Sequence, residues 1–145
     1  MAESLIFSNI KVEELLKRYM LIVGEGEFSI DDDDIIEYED NYFYDINSEW
    51  SVMEVNVGDT FAVEVILKMA KDDKMIYTYL NEDMLEGELI IVQKGEIIKQ
   101  LFDYFSTPEL NINIGYIDYE DENSLKGWID IGTYSDYIYN KLQEE

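Results

Sequence analysis

Apolar residues recur along this chain with two different periods, and each period predicts a kind of element. Val12, Leu15, Leu16 and Tyr19 recur at helical spacing and give residues 10–20 one apolar face. Ser8 or Asn9 can cap that helix, Glu13 and Glu14 fall in its first turn, and Lys17 and Arg18 lie near its C-terminal end, where the helix dipole favours each charge. Gly24 and Gly26 then break the pattern. Tyr134, Ile138 and Leu142 form a second ridge, which predicts a helix over residues 134–143 with Thr133 and Asp136 in capping-box form. The pattern assigns no element before Ile10.

Between the helices the period is two. Met53, Val55 and Val57 alternate with Glu54 and Asn56; Gly58-Asp59 follows, and Phe61, Val63, Val65 and Leu67 then take one face. This predicts a β-hairpin. Two more are predicted, one joining residues 35–39 to 42–46 through Asp40-Asn41 and one joining 89–93 to 97–101 through Lys94-Gly95. Residues 75–80 read as a strand entered through Asp72-Asp73, Pro108 as a turn, and 112–119 as a late strand. The expected fold is a single α+β domain over all 145 residues: a mostly antiparallel sheet built from hairpins, with an N-terminal and a C-terminal helix packed on one face or at one end.

Composition narrows what such a domain can do. The chain has 34 Asp and Glu against 10 Lys and Arg, a net charge of −24, with no His and no Cys. That excludes a Ser-His-Asp triad, a thiol nucleophile, a zinc finger and a disulfide framework. With one Arg and nine Lys, direct contact with nucleic-acid phosphates is not expected, because it needs clustered positive charge. The N-terminus lacks a basic region followed by an apolar core, and the apolar runs are too short to span a bilayer, so a cytoplasmic protein without a membrane partner is expected. At 47 % hydrophobic the chain can still fill a core, although its charge opposes compaction.

The acids are unevenly placed. No Lys or Arg occurs between residues 19 and 67, a window that includes Asp31, Asp32, Asp33, Asp34, Glu37, Glu39, Asp40 and Asp45. A second window without cations, residues 100–125, holds Asp118, Glu120, Asp121 and Glu122. Such runs are ordinarily solvated faces, but here Tyr38, Tyr42, Phe43, Tyr44 and Trp50 are interleaved with the first. Taken singly, aromatics belong to a core, as expected for Phe43 and Trp50. As a group, Tyr38, Tyr42 and Tyr44 among the carboxylates are the pattern that anchors and steers a basic protein partner. Neither cluster fits a calcium loop: counted from Asp31 the sixth and twelfth positions are Ile36 and Tyr42, and counted from Asp118 the twelfth is Ile129. Gly24-Glu25-Gly26 is not a phosphate loop, and carboxylate pairs among so many acids carry no specificity for hydrolysis. No cofactor, metal or enzymatic activity is expected.

With its size, its leaderless start, its α+β pattern and the acid–aromatic stretches 38–45 and 116–122, the chain resembles the small acidic immunity proteins encoded beside bacterial polymorphic or contact-dependent growth-inhibition toxins. The resemblance is one of kind and extends over the whole chain. It implies an antitoxin that binds a cognate basic toxin domain, often a nuclease in such systems, and blocks its active site or substrate entry. The partner-facing residues would be the acids and tyrosines of the two clusters. The alternative is a phage-encoded nucleic-acid mimic, an anti-restriction or anti-CRISPR inhibitor, which would use the same physics on a host defence protein. A third reading is an interaction module without an inhibitory role.

Overall fold

Residues 2–8, to which the pattern assigns nothing, form the middle of the sheet. The computed structural model describes residues 2–55 and 58–144. Its first strand, β1 (Ala2–Ser8), is buried from Ser4 to Ser8. Ile6 faces one side of the sheet, and Leu5 and Phe7 face the other. A strand covered on both faces reads as a continuous apolar run without alternation, which is why periodicity misses it.

Among the described residues β1 is joined by eight further strands: β2 (Ser29–Ile30), β3 (Ile36–Tyr38), β4 (Asn41–Asp45), β5 (Ser51–Val55), β6 (Met75–Asn81), β7 (Glu86–Gln93), β8 (Glu96–Tyr104) and β9 (Ile112–Gly115). The spatial order is β2-β3-β4-β5-β1-β6-β7-β8-β9, and every pairing is antiparallel. The helices are α1 (Val12–Val23), α2 (Val63–Ala70) and α3 (Trp128–Gln143). The α+β class and antiparallel sheet are as expected. The helices, however, do not share one face or end. Leu15 and Leu16 of α1 and Ile66 and Met69 of α2 pack on Ile6, Met53 and Tyr77. Ile131, Tyr134 and Leu142 of α3 pack on Phe7, Val52 and Leu89 across the sheet.

The hairpins at residues 39–40 and 94–95 form, and Glu39, Asp40, Lys94 and Gly95 all have positive φ, as a tight two-residue turn requires. The first turn lies one residue earlier than expected. Asn41 belongs to β4, where its buried amide donates to the Tyr19 hydroxyl at 3.2 Å. Pro108 begins a short 3-10 turn. The late strand stops at Gly115 instead of running to residue 119, and residues 118–121 form another 3-10 turn.

The expected hairpin around Gly58-Asp59 does not form. Asn56 and Val57 lie outside the described residues, but of the expected strand Phe61, Val63, Val65 and Leu67, the last three lie in the helix α2, residues 63–70. The physical reason is occupancy: β5 already has β4 and β1 as neighbours, so no ladder remains for a strand to join. Ile66, Met69 and Ala70 instead face the core at helical spacing. Since β5 and β6 both run antiparallel to β1, the β5–α2–β6 connection is a crossover over β1.

The helix ends also differ from the expected caps. Neither Ser8 nor Asn9 caps α1; the Val12 N–H donates to the Asp45 carboxylate at 3.0 Å. The helix continues to Val23, so Lys17 and Arg18 do not lie in its last turn. Arg18 is buried and donates to the Met69 and Ala70 carbonyls at the end of α2, both at 3.0 Å, while pairing with Glu14 and Asp73 at 2.9 and 2.8 Å. Helix α3 starts at Trp128, and Thr133 is inside it, bonded back to the Ile129 carbonyl. Its N-terminus is satisfied by Asp130, which accepts from the Lys126 and Gly127 N–H groups, and by Asp103 on β8, which accepts from the Trp128 N–H at 2.8 Å. Among the described residues no helix is long and apolar enough to cross a membrane.

Gly115 ends β9 with φ +81, and a Cβ there would lie 2.0 Å from the Ile98 carbonyl oxygen. Gly115→Ala should therefore lower stability by about 2–4 kcal/mol, read as an earlier midpoint in urea with an unchanged slope.

Candidate functional site

The two acidic clusters belong to different parts of the fold. Asp31, Asp32, Asp33 and Asp34 make the β2–β3 turn, Glu37 lies on β3, and Glu39 and Asp40 form the β3–β4 turn; all seven are exposed. Asp118, Glu120, Asp121 and Glu122 lie in and just after the 3-10 turn beyond β9. Tyr119 packs on Tyr134 and Tyr137 of α3, and Asp118 and Glu122 line a cleft with Ile91 of β7 and Ile138 of α3, so this cluster folds back over the β7–β8 part of the sheet, whereas the first belongs to β2, β3 and β4.

They also differ chemically. In the β9 cluster, Glu120 pairs at 2.9 Å with Lys99, a cation only 1 % exposed, and also accepts from the Ile117 N–H. Asp121 accepts from the Tyr116 hydroxyl. Asp118 and Glu122 line a cleft that also holds Lys74 and Lys141. Of that cluster Glu120 is in an ion pair and Asp121 accepts from a hydroxyl. At the β2 edge, Asp31 shapes the turn by accepting from the Asp33 and Ile35 N–H groups at 2.8 and 3.0 Å. Among the described residues, none of the seven carboxylates there is in an ion pair.

The interleaved aromatics divide between the faces of the sheet. Tyr38, expected at the interface, is a core residue: it is 2 % exposed, its hydroxyl donates to the Gly24 carbonyl, and its ring stands edge-on to Tyr19. Phe43 is buried beside them, as expected. Tyr42 and Tyr44 point to the α3 side and are half-buried. The Tyr44 hydroxyl donates to Glu54 at 2.7 Å and lies 3.4 Å from that of Tyr139. Trp50 is half-buried on the same side. Asp45 is exposed and holds the start of α1.

Two concavities, one over the middle of the sheet and one at its β2 edge, were not legible in the sequence. Between the sheet and α3 lies a cleft of about 610 Å³ whose carboxylates are Glu3, Glu54, Glu82 and Asp136, with Tyr42 and Tyr139 as aromatic walls and no Lys or Arg among its described lining residues. Partial burial, and then Asp136, Glu54 and Glu82, hold the Glu3 carboxyl above its ordinary range. These groups come from four distant stretches of chain, and only the topology unites them.

On the opposite face a groove of about 630 Å³ runs between α1 and β2, with Leu16, Met20 and Ile36 among its apolar lining. Leu21, Phe28 and Ile30 also line it and are 65 %, 49 % and 57 % exposed. Phe28 borders a second depression, of about 340 Å³, together with Glu27, Glu37, Glu39 and Asp40. The β2 edge thus presents apolar side chains inside a ring of carboxylates. A surface of this kind can accept N–H groups from cationic side chains at its rim and desolvate apolar ones at its centre. Among the described residues no cluster of three or more carboxylates is placed to hold a metal ion.

No family model matches the chain, and no curated protein or solved structure is similar to it.

The contrast between the two clusters can be measured. Glu120→Gln should cost about 2–4 kcal/mol because it leaves Lys99 buried without its counter-charge, whereas Asp118→Asn and Glu122→Gln should each stay within about 0.5 kcal/mol, all read by urea unfolding. The raised Glu3 carboxyl binds its proton more tightly in the folded than in the unfolded chain. Its contribution to stability is therefore complete below the ordinary carboxylate range and is lost as pH rises through the folded value. Glu3→Gln should then raise the thermal midpoint at pH 7, with the gain disappearing once the solution is acid enough to protonate the carboxyl in both states.

Proposed function

We propose that the protein is an immunity-type inhibitor, a stoichiometric binder that neutralises a basic toxin domain by covering its active site or substrate cleft. The observation that carries this reading is the unpaired state of the carboxylates at the β2 edge. Asp31 to Asp34, Glu37, Glu39 and Asp40 are exposed, share one end of the sheet, and take part in no ion pair among the described residues. Like charges held together without counter-charges oppose folding, and a cationic surface docked on them reverses the sign of that interaction. The toxin supplies the cations. A nuclease cleft built to hold phosphates presents Lys and Arg at spacings that carboxylates can occupy, and occupation excludes the substrate. Electrostatic steering raises the association rate by about 10- to 1000-fold, and the apolar groove beside the rim slows dissociation.

The test uses the basic domain encoded by the neighbouring reading frame. Co-expression with this protein should rescue growth and yield a stoichiometric complex. Replacing Asp31, Asp32, Glu37, Glu39 and Asp40 by Asn or Gln should slow association by about tenfold or more at low salt and flatten its salt dependence. The thermal midpoint should not fall, because Asp31→Asn retains the oxygen that accepts the turn's N–H groups. Association that is indifferent to these five changes and to salt would overturn the assignment. A complex with a nucleic-acid-binding defence protein in place of a toxin would instead support the mimic.

A further inference from the structure

Three neighbouring apolar side chains, Leu21, Phe28 and Ile30, are each about half or more exposed, and all line the same groove. Scattered surface hydrophobics need no explanation; convergence on one concavity with a polar rim does. The groove has an apolar lining in Leu16, Met20 and Ile36. Its charged lining is Glu13, Glu25, Asp34 and Asp45 against Lys17. Beyond Ile30 the sheet ends, because among the described residues β2 pairs only with β3. An apolar segment entering here meets carboxylates on α1, in the loop after it, in the β2–β3 turn and at the end of β4.

We infer that this groove takes an amphipathic segment of the basic partner: a ridge of large apolar side chains that seats against Leu21, Phe28 and Ile30, flanked by Lys or Arg that reach Glu13, Glu25 and Asp34. The inference rests on the proposed function for the partner being a basic protein, and it adds which part of that protein enters the groove. Charge complementarity selects the occupant. A second copy of this chain also carries a net charge of −24 and would bring carboxylates against carboxylates at this rim. A purely apolar ligand would leave four carboxylates partly desolvated with Lys17 as the one cation among the described lining residues. A segment with both an apolar ridge and cationic flanks satisfies both parts of the surface at once. The division matches that of interfaces in general, where a desolvated centre sets residence and a charged rim sets encounter.

The probe is a fluorescein-labelled Leu/Lys peptide of about four helical turns, with Leu on one face, compared with a Ser/Lys peptide of equal charge. The Leu/Lys peptide should bind at least about tenfold more tightly, as expected for burying two or more apolar side chains. Leu21→Ser and Phe28→Ser should each bring its affinity down toward that of the Ser/Lys peptide and leave the Ser/Lys peptide unaffected. In the unaltered protein, amide shifts on adding the Leu/Lys peptide should centre on α1 and β2, a readout that does not depend on any variant folding. Equal affinity for the two peptides, variants without effect, or shifts centred on β9 would overturn the inference. So would a dimer in the absence of peptide that Phe28→Ser converts to a monomer, since the occupant would then be a second copy. Because neither peptide is a toxin, the two readings fail separately. Discrimination between the peptides without growth rescue sinks the immunity function alone; rescue and salt-steered association without discrimination sinks the groove alone.

Discussion

The structure depends on β1 being covered on both faces. Its pairing with β5 on one side and β6 on the other joins two antiparallel halves that are otherwise separate in sequence, residues 29–55 and 75–115. Its alternating side chains reach both cores: Ile6 meets α1 and α2, and Leu5 and Phe7 meet α3. A chain with a net charge of −24 repels itself when compact, and the two-sided burial centred on this strand is what opposes that repulsion.

The scarcity of cations has a further consequence. Two of the ten are buried: Arg18, the only Arg, ties α1 to the end of α2, and Lys99 ties β8 to the turn containing Glu120. A cation used as an internal staple is not available to balance the surface. The staple at Lys99 neutralises part of the β9 cluster, whereas among the described residues nothing of the kind serves the β2 edge. Two acidic stretches that look alike along the chain are therefore different objects in the fold, one a turn tied to a buried cation through Glu120 and the other a rim without an ion pair among the described residues.

Much of the fold was legible where local rules act alone. The turns at residues 39–40 and 94–95 need left-handed backbone, and the sequence supplies Asp, Asn and Gly nearby. The Tyr134, Ile138 and Leu142 ridge faces the core because one periodicity governs it. What escaped was decided by tertiary context. β1 has no alternation because both faces are covered. The α2 segment opens with an alternating Val63-Glu64-Val65 that imitates a strand, and only the occupied flanks of β5 rule a strand out. The first turn of α3 is held by Asp103, far away in sequence. The acids of the β2 edge could be found from the absence of Lys and Arg between residues 19 and 67. The groove could not, because Leu21, Phe28 and Ile30 converge only when α1 is laid beside β2. Tyr38 was misread for the converse reason: its place among carboxylates suggested exposure, but strand alternation turns it inward with Ile36.

The raised Glu3 carboxyl shows, in the cleft on the α3 side of the sheet, what crowding carboxylates together costs. Partial burial first, and then the neighbouring carboxylates, make this carboxyl hold its proton more tightly, the carboxylates because the proton is a positive charge. At the β2 edge, where exposed carboxylates stand together without ion pairs among the described residues, a cation that docks gains by relief of like-charge repulsion. Linkage then requires that whatever docks cations there also stabilises the fold, in proportion to the repulsion it removes. In the proposed function this couples affinity to a cost that the free protein already bears. The repulsion is present before the partner arrives, so its removal contributes to binding without any new contact having to be perfected. Long-range attraction alone would still give a complex that salt disperses. The apolar groove is the complementary element, since the desolvation of Leu21 and Phe28 is insensitive to screening and acts only at contact. A rim without a groove would capture basic proteins and release them; a groove without a rim would hold apolar segments of any charge. Placed together at one sheet edge, they select a surface that is both basic and apolar.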